Sequence, residues 1–128
     1  MQGRGTSYSK GVLAEKSAVA QLKSDGYTIL HERYKTKFGE VDVIALKGGL
    51  VAFIEVKAHK NKTDSLYAVT AKSRRRIEQS ALWFLSEYPE YADFDMRFDV
   101  MVFHGDLNAL NDGGIRGEHL DNAWMVGS

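Results

Sequence analysis

The stretch 38–59, FGEVDVIALKGGLVAFIEVKAH, most constrains what this chain can fold into. Two runs rich in Val, Ile, Ala and Phe flank Gly48-Gly49. A glycine pair between such runs marks a β-hairpin. With those glycines as the loop, Lys47 faces Leu50, and the same register sets Asp42 opposite Glu55 and Glu40 opposite Lys57. Side chains alternate along a strand, so these four charged groups share one face. The other face carries Val41 against Val56, Val43 against Ile54 and Ala45 against Ala52. Near the turn the charged face is also apolar, with Ile44 against Phe53 and Leu46 against Val51. A hairpin apolar on both faces belongs inside a packed sheet. Facing residues lie about 4.5–5.5 Å apart at Cβ, where like charges destabilise. The Asp42–Glu55 pair therefore needs a reason, and a divalent cation held between them is the sharpest one.

The flanking segments supply the rest of an α/β fold. Residues 1–8 read as a flexible arm. A helix is expected over 9–25, with Leu13, Ala14, Ala18, Val19 and Leu22 on its apolar face and Gly26 as its stop. Glu15 lies one position from that stripe, and spacing alone reads it as a solvated helix glutamate. Residues 27–33 read as a strand, followed by hairpin strands at 39–47 and 50–58. A polar loop covers 59–69. A second helix is expected over 71–88, capped by Thr70, ended by Pro89, and buried through Ile77, Ala81, Phe84, Leu85 and Tyr88. Residues 97–104, RFDVMVFH, read as a central strand in which Arg97 and Asp99 share a face. An edge strand fits within 115–126. The order α, β, β, β, α, β describes one small domain over 1–128, with a central mixed sheet flanked by helices.

Charge is unevenly placed. Residues 1–76 hold 15 Lys and Arg against 7 Asp and Glu, while 77–128 hold 2 against 10. The net charge of zero argues against an indiscriminate nucleic-acid coat, and the basic first part permits a polyanionic partner. No cysteine is present, which excludes disulfides and thiolate metal sites. The apolar runs are too short to span a membrane, and the N-terminus lacks the apolar core of a secretory signal. A cytoplasmic location fits.

Asp42, Glu55 and Lys57 form a D…E-x-K pattern. Carboxylate oxygens suit Mg²⁺ or Mn²⁺, and the backbone carbonyl of Val56 offers another oxygen. Such a cation would relieve the carboxylate repulsion, polarise a phosphoryl oxygen and acidify an attacking water. Lys57 would orient that water or offset charge on the phosphate. The second helix begins with Lys72, Arg74, Arg75 and Arg76, cations that oppose the helix macrodipole. Lys72 and Arg76 share a face. They read either as a solvated face, helped by Arg74 with Glu78, or as a phosphate site at the helix N-terminus.

Together these residues resemble the PD-(D/E)XK nuclease superfamily, with its restriction-endonuclease-like fold. More closely, the chain resembles the YraN family of small bacterial proteins, related to archaeal-type Holliday junction resolvases. The resemblance runs from Gly11 to Phe103. It includes Gly11-x-x-x-Glu15, Gly26-Tyr27, Gly39-Glu40-Val41-Asp42-Val43-Ile44, Phe53-Ile54-Glu55-Val56-Lys57, Lys72 with Arg76, and Arg97-Phe98-Asp99-Val100. It implies that Glu15, Asp42, Glu55 and Lys57 form a metal-dependent catalytic site. Glu40 then stands behind the ligands or pairs with Lys57. His59 and Lys60 join Lys72 and Arg76 as nucleic-acid contacts. The chain departs from the family pattern at His59, where Arg is usual, and at Arg33, where Asn is frequent.

The expected function is a Mg²⁺- or Mn²⁺-dependent endonuclease acting on DNA, including branched or damaged forms, with RNA as an alternative substrate. A two-fold junction would favour a homodimer. A non-catalytic nucleic-acid-binding or adaptor protein on the same fold is the second reading. The third is a structural salt-bridge cluster, in which Glu40, Asp42 and Glu55 would face one lysine, an imbalance that costs energy without a cation.

Overall fold

The computed structural model describes residues 6–59, 69–104 and 116–127. Helix α1 (Thr6–Ser24) is followed by strands β1 (Thr28–Thr36), β2 (Gly39–Lys47) and β3 (Leu50–His59). Helix α2 (Ala71–Glu87) and a 3₁₀ turn (Pro89–Tyr91) lead to β4 (Asp95–His104) and β5 (Glu118–Trp124). The expected arm is shorter than 1–8, because residues 6–8 are helical. Thr6-Ser7-Tyr8 contains no helix breaker, and a glycine inside a helix, here Gly11, costs only about 1 kcal/mol. Residues 1–5 and 60–68, including Lys60, lie outside the described residues.

The five strands are ordered β1-β2-β3-β4-β5. Among the described residues only the β3–β4 pair is parallel, and it is the pair joined through α2. A parallel pair needs such a crossover, whereas antiparallel neighbours can be joined by turns. The hairpin therefore sits inside an α/β mixed sheet, as its two apolar faces require. Ala14, Ala18, Val19 and Leu22 of α1 pack with Val43, Ala45, Ala52 and Ile54 on one face. Ile77, Ala81 and Phe84 of α2 pack with Ile44, Val51, Phe53, Phe98 and Val102 on the other.

Local chemistry fixes the helix ends. At the end of α1 the Tyr27 N–H donates to the Leu22 carbonyl (2.9 Å) and the Gly26 N–H to that of Lys23 (3.1 Å). Gly26 has φ +95°, the left-handed cap that glycine adopts without a Cβ penalty. At the start of α2 the Ser73 N–H donates to Thr70 Oγ1 at 3.1 Å. Thr70→Ala should destabilise the fold by about 1 kcal/mol, read as a lower urea midpoint at unchanged slope.

Strand β5 is held by one buried carboxylate. Asp99 is fully buried and accepts from Arg97 Nε (2.8 Å), Arg97 Nη2 (2.7 Å) and the Asn122 N–H (3.0 Å), with His119 Nε2 at 2.8 Å. Burial alone would raise its pKa, but bonds from His119, Arg97 and the Asn122 N–H outweigh it and hold the carboxyl below its ordinary range. The Arg97–Asp99 pairing follows from their shared strand face; the His119 contact comes from 20 residues further along the chain. Among the described residues, no helix is long and apolar enough to cross a membrane.

Candidate functional site

The hairpin register holds from the turn as far as Val43–Ile54 and no further. In a two-residue hairpin the pair beside the loop exchanges both hydrogen bonds, and every second pair repeats this. Val41 and Val56 would be such a pair. Instead the Val56 N–H donates to Asp42 Oδ2 at 2.8 Å. The Asp42 side chain thus takes the place of a ladder carbonyl, and β2 slips out of alternation. Val43 and Ala45 face α1, but Val41 packs in the α2 core. This corrects the expectation that Val41 and Val43 share a face.

Strand β1 breaks step at the matching position. His31 and Tyr34 both stack edge-on against Phe84, so an odd and an even residue share a face. Between them Arg33 has φ 55°. That left-handed conformation is uncommon for a non-glycine residue and is easiest for Asn and Asp. The pairs Glu32–Val43 and Tyr34–Val41 on either side set Arg33 across from Asp42. Strand β1 also shifts register between Ile29 and His31, and the matched break at Arg33 and Asp42 builds the site.

Four carboxylates converge there. The Asp42 carboxyl hydrogen-bonds that of Glu55 and feels the charge of Glu15. Glu15 feels Arg33, Glu40, Glu32 and Glu55. Burial, followed by the Glu55 charge, pushes Asp42 up to about 8, against the opposing bond from Val56 N–H. A carboxyl so shifted is largely protonated at neutral pH. Burial also raises Glu15, with Arg33 partly opposing. Glu15 is therefore a member of the cluster, not a solvated helix residue.

The cations are arranged around this group. Lys57 Nζ lies 3.0 Å from Glu55 Oε2, with both side chains largely buried. Arg33 Nε stands 3.9 Å from Glu15 Oε1 and 3.8 Å from Glu40 Oε2, too far for hydrogen bonds. Glu40 Oε2 is indeed buried without a hydrogen-bond partner. The expected Glu40–Lys57 pairing is not formed: Glu40 lies opposite Lys35 in β1 and turns to Arg33, and Lys57 turns to Glu55. Arg33 carried no sequence signal beyond its departure from the family pattern.

A cavity of about 130 Å³ opens beside the carboxylates, lined by Gly39, Glu40, Glu55, Ser73, Arg76 and Ile77. It joins the start of α2 to the broken end of the hairpin. Gly39 has φ +152°, a conformation that excludes most side chains, and the Arg76 side chain rests against it. Arg76 therefore reaches the site. Lys72, one turn earlier on α2, is exposed. His59 ends β3, and its side chain, like Lys60, is outside the described residues.

Carboxylate oxygens are the donors that hard divalent cations take. Among the described residues, no three acidic or imidazole groups form a ready metal cage. Asp42 and Glu55 meet as a pair, with Glu15 and Glu40 beside them. Their oxygens form a hard donor set, and the buried Glu40 Oε2 lacks a hydrogen-bond partner, which is the respect in which these residues fit a cation.

Residues 14–103 match the model described as Uncharacterised protein family UPF0102. A UPF0102 protein of Bradyrhizobium diazoefficiens is 42% identical over 99 residues, 77% of this chain and 74% of that protein. One from Rhodopseudomonas palustris strain BisA53 is 44% identical over 99 residues, covering 77% and 76%. One from Nitrobacter winogradskyi is 41% identical over 99 residues, covering 77% and 84%. The matched span contains every member of the carboxylate cluster together with Lys57 and Arg76, and the chain belongs to the UPF0102 family.

Proposed function

We propose that the protein is a metal-dependent endonuclease of the PD-(D/E)XK superfamily, with a restriction-endonuclease-like core, that hydrolyses DNA phosphodiester bonds in branched or damaged structures. The observation that supports this reading most is the Asp42–Glu55 pair. Burial and mutual repulsion hold Asp42 protonated, while Lys57 is fixed 3.0 Å from Glu55. A structural cluster has no use for a carboxyl kept against its ordinary charge, whereas an exchangeable proton leaves a site that a cation can take.

Asp42 and Glu55, with Glu15 beside them, would hold Mg²⁺ or Mn²⁺. When bound, that cation polarises a phosphoryl oxygen and lowers the pKa of the attacking water. The remaining work falls to the chain. The Val56 N–H fixes the Asp42 carboxylate in the sheet. Lys57 orients the attacking water and offsets charge growing on the phosphoryl oxygens. Arg76 in the cavity, with Lys72 one turn before, holds a backbone phosphate at the N-terminal end of α2. Water oxygen bonds to phosphorus, the ester P–O bond breaks, and the leaving oxygen takes a proton.

The test is a panel of linear, single-stranded, flapped and four-way DNA incubated with Mg²⁺ or Mn²⁺, beside Lys57→Ala. Cleavage of at least one form, abolished by chelator and by Lys57→Ala, is the expected result. Salt-sensitive binding to the same DNA with no cleavage by either protein would favour the adaptor reading.

A further inference from the structure

The outer face of α2 carries large apolar side chains that the core does not use. Leu82 is 62% exposed and Trp83 is 40% exposed. With Phe38, Gln79 and Ser86 they line a shallow groove. Phe38 meets Trp83 edge-on, with ring centroids 6.2 Å apart. Lys37 Nζ lies 5.3 Å from the Phe38 ring centre and 5.5 Å from that of Trp83. A cation over two partly exposed aromatic rings is a surface for a ligand with both a π-face and negative charge.

This groove is continuous with the candidate site. Phe38 adjoins Gly39, on which Arg76 rests, and Gly39 and Arg76 both line the carboxylate cavity. On α2, residues 76, 79 and 83 follow the i, i+3, i+7 spacing of one helix face. Seven residues of helix span about 10 Å, on the order of three stacked nucleotide steps. A strand with one phosphate at Arg76 therefore reaches Trp83 within a few nucleotides.

We propose that Phe38, Trp83 and Lys37 bind an unpaired nucleobase, so that the substrate carries a single-stranded segment beside the phosphate to be cut. This rests on the nuclease reading and narrows its substrate class. Bases inside a duplex offer no free face to an aromatic ring, whereas an unpaired base does. A second copy of the chain is the competing occupant. A two-fold contact through this patch would set two copies of Lys37 against each other, which charge disfavours.

The test measures affinity in chelator, by anisotropy, for a labelled thymidine strand of about 20 nucleotides and for a blunt duplex of equal length. Wild type, Trp83→Ala, Trp83→Phe and Lys57→Ala are compared, with circular dichroism confirming the fold. Trp83→Ala is expected to weaken single-strand binding about tenfold while duplex binding changes less than about twofold. Trp83→Phe should restore most of the loss. Unchanged single-strand affinity in Trp83→Ala overturns the platform; if wild type still cleaves DNA and Lys57→Ala does not, the nuclease reading survives. Trp83-dependent binding with no cleavage by wild type on any substrate overturns the nuclease reading instead. A wild-type dimer that Trp83→Ala splits, with strand affinity unchanged, assigns the patch to a second copy and overturns the proposal.

Discussion

Replacing Lys57 with alanine is expected to slow metal-dependent DNA cleavage by about a hundred- to a thousand-fold, the range for removing one donor aimed at developing charge. The melting temperature should fall by only a few degrees. Lys57 is tied to Glu55 at 3.0 Å, but Glu55 keeps Asp42 as a hydrogen-bond partner when the lysine is gone. The contrast between the two readouts carries the argument. In a structural cluster Lys57 would be the principal counter-charge to several carboxylates. Its loss would then cost several kcal/mol of stability, because buried charge would be left unpaired. Single-turnover cleavage and thermal melting on the same preparations separate the outcomes. A large drop in melting temperature, with cleavage absent or unaffected, would return the cluster to a structural role.

Replacing Asp42 with asparagine is expected to stabilise the metal-free protein at pH 8. The sign follows from the raised carboxyl. The ordinary Asp value is 3.8, and Asp42 in the fold lies at about 8. Its contribution to stability is therefore full below about pH 4, falls progressively above that, and is lost once pH has risen through about 8. Each pKa unit corresponds to about 1.4 kcal/mol, so the loss is on the order of a few kcal/mol. Asparagine cannot ionise. Its amide oxygen can still accept from the Val56 N–H, and its amide N–H can donate to Glu55 as the protonated acid does. In chelator, the melting temperature of Asp42→Asn should match wild type below about pH 4, and the gap should widen with pH until it exceeds wild type by about 5 °C or more at pH 8. An Asp42→Asn protein less stable than wild type at pH 8 would mean that Asp42 is ionised and well satisfied in the fold.

Much of the framework was legible in the residues. Gly48-Gly49 and the alternating runs fixed the hairpin pairing from Lys47–Leu50 to Val43–Ile54. Thr70 and Gly26 marked helix ends through well-understood cap chemistry. The charge problem at Asp42 and Glu55 was visible because like charges stood opposite each other in otherwise apolar strands. What stayed hidden was the matched break at Arg33 and Asp42. Nothing in Glu-Arg-Tyr or Val-Asp-Val announces a residue out of alternation, since no glycine or proline marks it. The consequence is that Val41 turns to α2 while Glu40 turns to Arg33. Glu15 shows a second limit. Helical spacing measures distance from the apolar stripe, not what a half-buried position faces across the gap, and only the family resemblance drew Glu15 into the site. The Asp99–His119 contact and the Phe38–Trp83 platform join segments 20 and 45 residues apart, which no local pattern encodes.

Two irregular strands, a left-handed arginine and a protonated aspartate are local costs, gathered where α1, α2 and the hairpin meet. Such costs persist where the surrounding fold over-determines them, as two apolar cores do here. A cation taking the place of the Asp42 proton would turn the largest of them into binding energy.

That claim is tested most directly by thermal melting of wild type and Asp42→Asn at pH 8, with and without millimolar Mn²⁺ or Mg²⁺. A ligand at about 100 times its dissociation constant stabilises the folded state by about 2.7 kcal/mol. Wild type should therefore melt several degrees higher with metal, the gain should shrink towards pH 6 as protons compete, and Asp42→Asn should show none of it. A wild-type melting curve that metal leaves unmoved, or an equal gain in both proteins, would contradict the account.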